Sequence, residues 1–370
     1  MKQTRTVKPP QPPPTSGWRS MFDITSTRFK TVATGLVILY LLGIFTFALS
    51  RFTTTDTVPP LKPINTQALK TLGNFTVRVK TGLFIKNFPV FDVTRNTFQV
   101  DAILWFAFNA DDINLETVER FSIDNGKILY RSTPDIKVEG ANIFAKYNVV
   151  FELKSDLTFN RFPFEDHRLP ILISNDFVTP EEMIYTVDGS SFQILSKVAP
   201  AGWNFQDLNV DAGYMPITLD KQDVNKKAEN PKALFILNFV KASSRKALVI
   251  FTPLFSMAFF GLFAFIMNMG NTTGKVIQAT TALTALLGYR FVIEQMMPQV
   301  GYFTTTDNIY LFLLAFAFFN FIIQLLITRV FMVTDNKDEA FMQRLEKISS
   351  IIFIIMLLLL VVVTTYFILV

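Results

Sequence analysis

The sequence predicts a two-part membrane protein: an antiparallel β-sandwich outside the cytoplasm followed by a four-helix transmembrane bundle, with one more apolar helix ahead of the sandwich. Three observations carry this expectation. Half of the 370 residues are hydrophobic and the mean hydropathy is positive. Five predominantly apolar runs are long enough to cross about 30 Å of hydrocarbon at 1.5 Å per residue. Between the first and second of these lies a long stretch without any such run, built instead from short alternating segments.

Taken in order, residues 1–30 are polar and proline-rich, with Lys2, Arg5, Lys8, Arg19, Arg28 and Lys30 set against Asp23. They read as a disordered basic tail. Residues 31–51 form the first apolar run, and the basic flank before it is expected to stay in the cytoplasm. Two readings compete for this run: an uncleaved anchor, or a signal peptide cut after Ala48-Leu49-Ser50. Its length exceeds the usual h-region and favours the anchor. Residues 52–74 read as a linker.

From 75 to 245 the chain is expected to form the sandwich. The runs Phe75–Ile85, Phe98–Phe108, Tyr147–Leu153, Leu169–Ser174 and Ala233–Val240 are rich in β-branched and aromatic residues. Turn signals such as Asp124-Asn-Gly and Asp188-Gly-Ser separate them. Residues 246–370 are expected to form the four-helix bundle, with helices near Leu248–Met267, Val276–Met297, Ile309–Val333 and Ile348–Val370. Helices satisfy their own backbone hydrogen bonds in lipid. Lys275, Lys337, Arg344 and Lys347 fall in connections that this topology puts in the cytoplasm, in agreement with the charge bias of membrane proteins.

Composition excludes several classes of function. The net charge of +5 is modest and its bases are scattered, so nucleic acid is not an expected partner. There is no cysteine, hence no disulfide and no thiolate metal site. No cofactor, metal or enzymatic activity is expected, because no nucleophile sits beside a base and no phosphate-binding glycine loop occurs. The single histidine, His167, has no companion ligand. Histidine titrates between pH 5 and 8, which makes His167 a candidate proton sensor, although a structural role is the plainer reading. Forty phenylalanines crowd the uncharged segments, as lipid-facing helices would have them.

The second helix of the bundle differs from the others. It carries Gln278, Thr280, Thr281, Thr284, Gly288, Tyr289, Arg290, Glu294 and Gln295, groups that are costly against lipid. At helical spacing Thr273, Ile277, Thr281, Thr284, Gly288, Phe291 and Gln295 share one stripe, as they would on a helix lining a water-filled path. The competing reading is a helix packed inside a bundle with its Thr hydroxyls bonded to its own backbone. Ile277 and Phe291 are candidates for apolar constrictions, and Arg290 and Glu294, four apart, are expected to pair on one helix face.

This layout and its local motifs resemble the pentameric ligand-gated ion channel superfamily, in the prokaryotic type that lacks the disulfide. Phe162-Pro-Phe-Glu-Asp-His-Arg-Leu169 is similar to the Phe-Pro-Phe-Asp core of that family's Cys-loop, with Ser155 and Leu169 where animal receptors carry the bracketing cysteines. Pro134-Asp135 resembles the first ligand-site loop and Gly202-Trp203 the start of the ninth strand. Pro253 stands twelve residues after Lys241, Lys275 opens the polar helix, and Pro298 follows 23 residues later. Pro298-Gln-Val-Gly-Tyr302-Phe-Thr-Thr-Thr-Asp307 is similar to the family's Pro-Lys-Val-x-Tyr-x-Thr-x-x-Asp.

The resemblance, over about residues 75–370, implies a homopentamer in a bacterial inner membrane, contacting lipid, with the sandwich outside the cytoplasm. It further implies a pore lined by residues 276–297 through which an inorganic ion passes, opened by a small-molecule or ion ligand bound between sandwiches. It places gating on Phe162, Pro163, Phe164, Glu165, Asp166, Lys241, Arg245, Pro298 and Tyr302, where Glu165 or Asp166 is expected to pair with Lys241 or Arg245. Ligand contacts are implied for Phe108, Pro134, Asp135, Asp176, Phe177 and Tyr214. Few of these are aromatic, so a quaternary amine is a poor candidate ligand. Thr273-Gly274-Lys275 has neither an acidic ring nor a Pro-Ala insertion, which leaves ion selectivity open. The alternative function is a non-conducting membrane receptor or assembly protein that keeps the fold.

Overall fold

The computed structural model describes residues 23–50, 54, 56–63, 76–196, 198, 200, 202–221, 223, 227–242, 244–334 and 338–369. Most of the tail expected over 1–30 and of the linker expected over 52–74 lies outside them. The chain divides into two compact units, Arg51–Lys246 with Met297–Thr304, and Met1–Ser50 with Ala247–Met296 and Thr305–Val370.

The first unit is β-sandwich-like. A five-stranded sheet runs in the order β1 (Lys62–Pro63), β11 (Trp203–Thr218), β12 (Lys227–Lys241), β8 (His167–Asn175), β4 (Phe121–Ile123). A seven-stranded sheet runs β10 (Phe192–Ile194), β2 (Val77–Asp92), β3 (Thr97–Asn109), β7 (Asn142–Leu153), β5 (Gly126–Arg131), with β6 (Asp135–Glu139) on β7 and β9 (Met183–Thr186) on β2. A one-turn helix, α2 (Leu115–Val118), precedes β4. The expectation of a wholly antiparallel sandwich needs correction, because β9 and β10 both run parallel to β2.

Burial along β3 alternates residue by residue, Phe98, Val100, Ala102, Leu104, Phe106 and Phe108 inward and their neighbours outward. A period of two is what a pleated strand with one buried face requires. Phenylalanine joins the sheets: Phe91 and Phe239 lie 5.1 Å apart edge to face, Phe106 and Phe121 5.4 Å, and Phe192 and Phe235 5.3 Å. The abundance of Phe therefore does not mark lipid contact alone; it also fills this core, where aromatic pairs add to the burial of their area. The Asp124-Asn-Gly turn carries the chain from one sheet to the other. Gly126 is required there by closeness, since a Cβ would stand 2.2 Å from the Glu152 carbonyl oxygen.

The second unit holds α1 (Thr27–Leu49), all but the first two residues of α3 (Arg245–Leu262, continued by a 3₁₀ turn over Phe263–Phe265), α4 (Thr272–Met296), α5 (Thr305–Val333) and α6 (Glu339–Leu369). All five are long and apolar enough to cross a membrane. Several begin earlier than hydropathy predicts, because hydropathy reads the apolar span and not the polar turn that caps it. Thus α6 starts nine residues before Ile348, where Phe341 N–H donates to the Asp338 carboxylate at 2.9 Å. At α1, four residues before 31, the Ser26 hydroxyl accepts from Arg28 N–H at 3.2 Å. The first helix docks on its neighbours. Its Phe45 ring meets Phe251 at 5.6 Å, Tyr40 lies 3.4 Å from the Thr365 hydroxyl, and buried Lys30 donates to the Phe265 carbonyl at 3.2 Å.

Candidate functional site

The polar groups of α4 divide into two sets. One is consumed inside the unit: Gln278 donates to the Phe260 carbonyl at 2.8 Å, Tyr289 to the Val249 carbonyl at 2.7 Å, and Arg290 to Asp307 at 2.8 Å. The buried face, Thr272, Lys275, Ala279, Ala282, Leu286 and Ile293, recurs at intervals of three, four and seven. Such spacing keeps one helix face against its neighbours. Gly261 of α3 lets that face approach closely, since a Cβ there would lie 3.0 Å from the Ala282 Cβ.

The other set is the stripe expected from the sequence. Thr273, Ile277, Thr281, Thr284, Gly288, Phe291 and Gln295 are all exposed, Ile277 at 60% and Phe291 at 73%. The Thr281 hydroxyl does bond its own backbone, at Ile277 O, 2.8 Å away. The helix is nonetheless not enclosed by the described residues of its unit, which leave a polar stripe with two large apolar side chains uncovered.

The expected Arg290–Glu294 pair is present but loose, at 3.9 Å. Arg290 makes its short bond to Asp307 in the first turn of α5 instead, and its guanidinium lies 5.4 Å from the Tyr310 ring centroid. A carboxylate 17 residues away at an adjoining helix start is invisible to an i,i+4 rule. Arg290 is about one-third exposed, which screens the pair. Asp307→Asn should accordingly cost about 1–2 kcal/mol in thermal unfolding of the full protein, and Glu294→Gln less than about 0.5 kcal/mol. Equal effects would refute this ranking.

In the sandwich unit, most of the residues implied for gating lie in the loop between β7 and β8 or touch it. Phe162, Phe164, Glu165 and His167 are each at most 3% exposed, and Pro163 and Pro298 are buried. Lys241, on the last residue of β12, donates its backbone N–H to Asp166 at 3.1 Å and its ammonium to the Pro163 carbonyl. The same ammonium lies 5.5 Å from the Phe162 ring and 5.6 Å from Trp203. Glu165 Oε2 accepts from Arg161 N–H at 3.1 Å, while Oε1 is buried without a hydrogen-bond partner among the described residues, 3.9 Å from His167 Nε2. Burial pushes the Glu165 carboxyl above the usual range even though the Lys241 charge opposes it. Burial likewise pushes Lys241 down. Tyr302 joins the group, its hydroxyl accepting from Phe159 N–H at 2.8 Å. Arg245 is exposed at the start of α3.

One member had no sequence signal. Asp56, within the stretch assigned to the linker, is buried and hydrogen-bonded to His167 Nδ1 at 3.0 Å. Only its position among threonines distinguishes it locally. Burial pushes its carboxyl up, but the bonds from His167, Thr158 and Arg168 outweigh this and hold it below the usual carboxylate range.

The ligand candidates are not gathered by one chain. Phe108, 5% exposed, belongs to the β3 core and also lines a cavity of about 610 Å³ with Arg78, Lys137, Glu139 and Phe144. None of the other five candidates lines that cavity. Pro134 directly precedes β6, whose Asp135 pairs with Lys146 at 2.8 Å. Asp176 is held by Ser122 and Ser174 at 2.9 Å and Asn230 at 2.8 Å, and Phe177 is exposed beneath Arg120. Tyr214 lies on β11, 5.7 Å from the Lys62 ammonium. Phe108 and Asp135 thus belong to one sheet and Tyr214 to the other.

No protein-family model matches the chain, and a search of curated proteins finds no significant match.

Proposed function

We propose that this chain is one subunit of a homopentameric ligand-gated ion channel of the bacterial inner membrane, with the sandwich outside the cytoplasm and α4 lining the pore. The observation that carries this reading is the exposed stripe of α4. Its threonines and glutamine are expensive against lipid and have no cover among the described residues of their own unit. Several copies around an axis turn that face toward water, which one copy cannot. Ile277 and Phe291 then supply apolar rings that close by dewetting. The ligand candidates, distributed over two sheets, form one site only where two sandwiches meet. The basic lining of the Phe108 cavity suits an acidic ligand better than a quaternary amine.

The chain has no cysteine, so single substitutions report one position each. In liposomes, cysteine at Thr281, Thr284 or Gly288 should react with a water-soluble thiol reagent much faster than cysteine at Ala279, Ala282 or Leu286, and its modification should block ion flux. Native mass should correspond to five copies. A monomer, or equal protection of both faces, would end the proposal; modification without any flux would favour a non-conducting receptor.

A further inference from the structure

Asp56 lies in the chain segment that follows α1, more than a hundred positions before the loop it touches. Its side chain is 2% exposed and its carboxylate takes four donors from that loop. Thr158 N–H and hydroxyl donate to Oδ1 at 2.7 and 3.0 Å, and Arg168 N–H and His167 Nδ1 to Oδ2 at 2.9 and 3.0 Å. These donors stand at opposite stems of the loop, so one side chain staples both. An ionised carboxylate only accepts, so His167 Nδ1 carries the proton of their shared bond. Immediately after Thr158, Phe159 sends its N–H to the Tyr302 hydroxyl and sets its ring 5.1 Å from His167.

The segment is also fixed at its other end. Lys62 and Pro63 pair with Tyr214 and Gly213 on β11, which β12 separates from β8. A Cβ on Gly213 would stand 2.3 Å from the Lys62 carbonyl oxygen, so this edge is shaped to receive the strand. Residues 57–60 between the anchors wall a cavity of about 810 Å³ with Asn125, Lys154 and Pro170. A segment held at two places and arched over a cavity between them acts as a strap.

We infer that Asp56 is a positioning residue: it holds the loop from Thr158 to Arg168 where Phe159 reaches Tyr302, which makes the segment after α1 a tether on that loop. The tether's meaning for channel opening rests on the function proposed above, but its existence does not.

The test is hydrogen exchange on the full-length protein in lipid nanodiscs, resolved at the Phe159 amide. Tyr302→Phe removes that amide's acceptor directly and calibrates the response. Asp56→Asn should speed exchange at Phe159 by about tenfold, the size expected for losing a bond to a charged group. Adding Tyr302→Phe to it should bring little more. The only imidazole can be labelled with ¹⁵N-histidine, and its Nδ1 signal should move in Asp56→Asn. If Asp56→Asn speeds only the Thr158 and Arg168 amides and leaves Phe159 unchanged, Asp56 is merely structural and the inference fails. Should that variant not fold, Thr158→Val deletes one of the four bonds and should give a smaller rise at Phe159; no rise is equally fatal. Wild-type protein without ion flux would sink the channel reading while leaving every arm of this test intact.

Discussion

Asp124→Ala should lower the stability of the sandwich by about 3–5 kcal/mol, the cost of stranding a buried charge. Its partner Lys232 is 1% exposed on β12, with its ammonium bonded to Asp124 and lying 3.4 Å from the Ser174 hydroxyl. Asp124 itself is about one-quarter exposed, so water relieves part of the loss and the lower end of the range is expected. For a domain of this size about 3 kcal/mol corresponds to roughly 6–12 °C in melting temperature. The attraction between the two charges does little more than repay their desolvation. The double variant Asp124→Ala, Lys232→Met should therefore recover most of the loss. Melting curves of the two single variants and the double variant decide it, and additive losses would show that the two side chains are not coupled and refute the prediction.

Glu165→Gln should make stability less dependent on pH. A carboxyl whose folded pKa lies above its ordinary value of 4.5 binds its proton more tightly in the folded state. Its contribution is complete below about pH 4.5 and is lost as pH rises through the folded value. Glutamine keeps an oxygen for Arg161 N–H and carries no charge. The variant should match wild type near pH 4.5 and exceed it by at least about 1 kcal/mol near pH 9, since a tenfold difference in proton affinity between the folded and unfolded chain is worth about 1.4 kcal/mol. Lys241 supplies the opposing argument. If the attraction between the two side chains outweighed the burial of Glu165, as the expectation of an ion pair requires, the variant would lose stability at high pH instead. Melting temperatures at the two pH values separate these outcomes.

Much of the architecture was legible because it is written in local periods. The alternation in Phe98–Phe108 marked β3 and its inward face, and the uncharged runs marked five helices of membrane length. The spacing from Thr273 to Gln295 marked one face of α4, which is exposed throughout its length. Helix starts were less legible, since capping turns such as Asp338 to Phe341 are polar and lie outside the apolar run. The short strands β9 and β10 were not legible at all. Three or four residues contain too little alternation to read, and their parallel pairing depends on β2, about a hundred positions away.

The sequence by itself determined the longer alternating strands such as Phe98–Phe108, which segments can cross a membrane, and which stripe of α4 is polar, because each of these follows from side chains a few positions apart. Only the tertiary structure decided which polar side chains meet: Arg290 with Asp307 rather than Glu294, Lys232 with Asp124, His167 with Asp56. Those partners are separated by 17, 108 and 111 positions. Distance along a chain says nothing about distance across a fold once strands and helices have brought their ends together. A polar side chain takes whichever partner the backbone delivers to within about 3 Å.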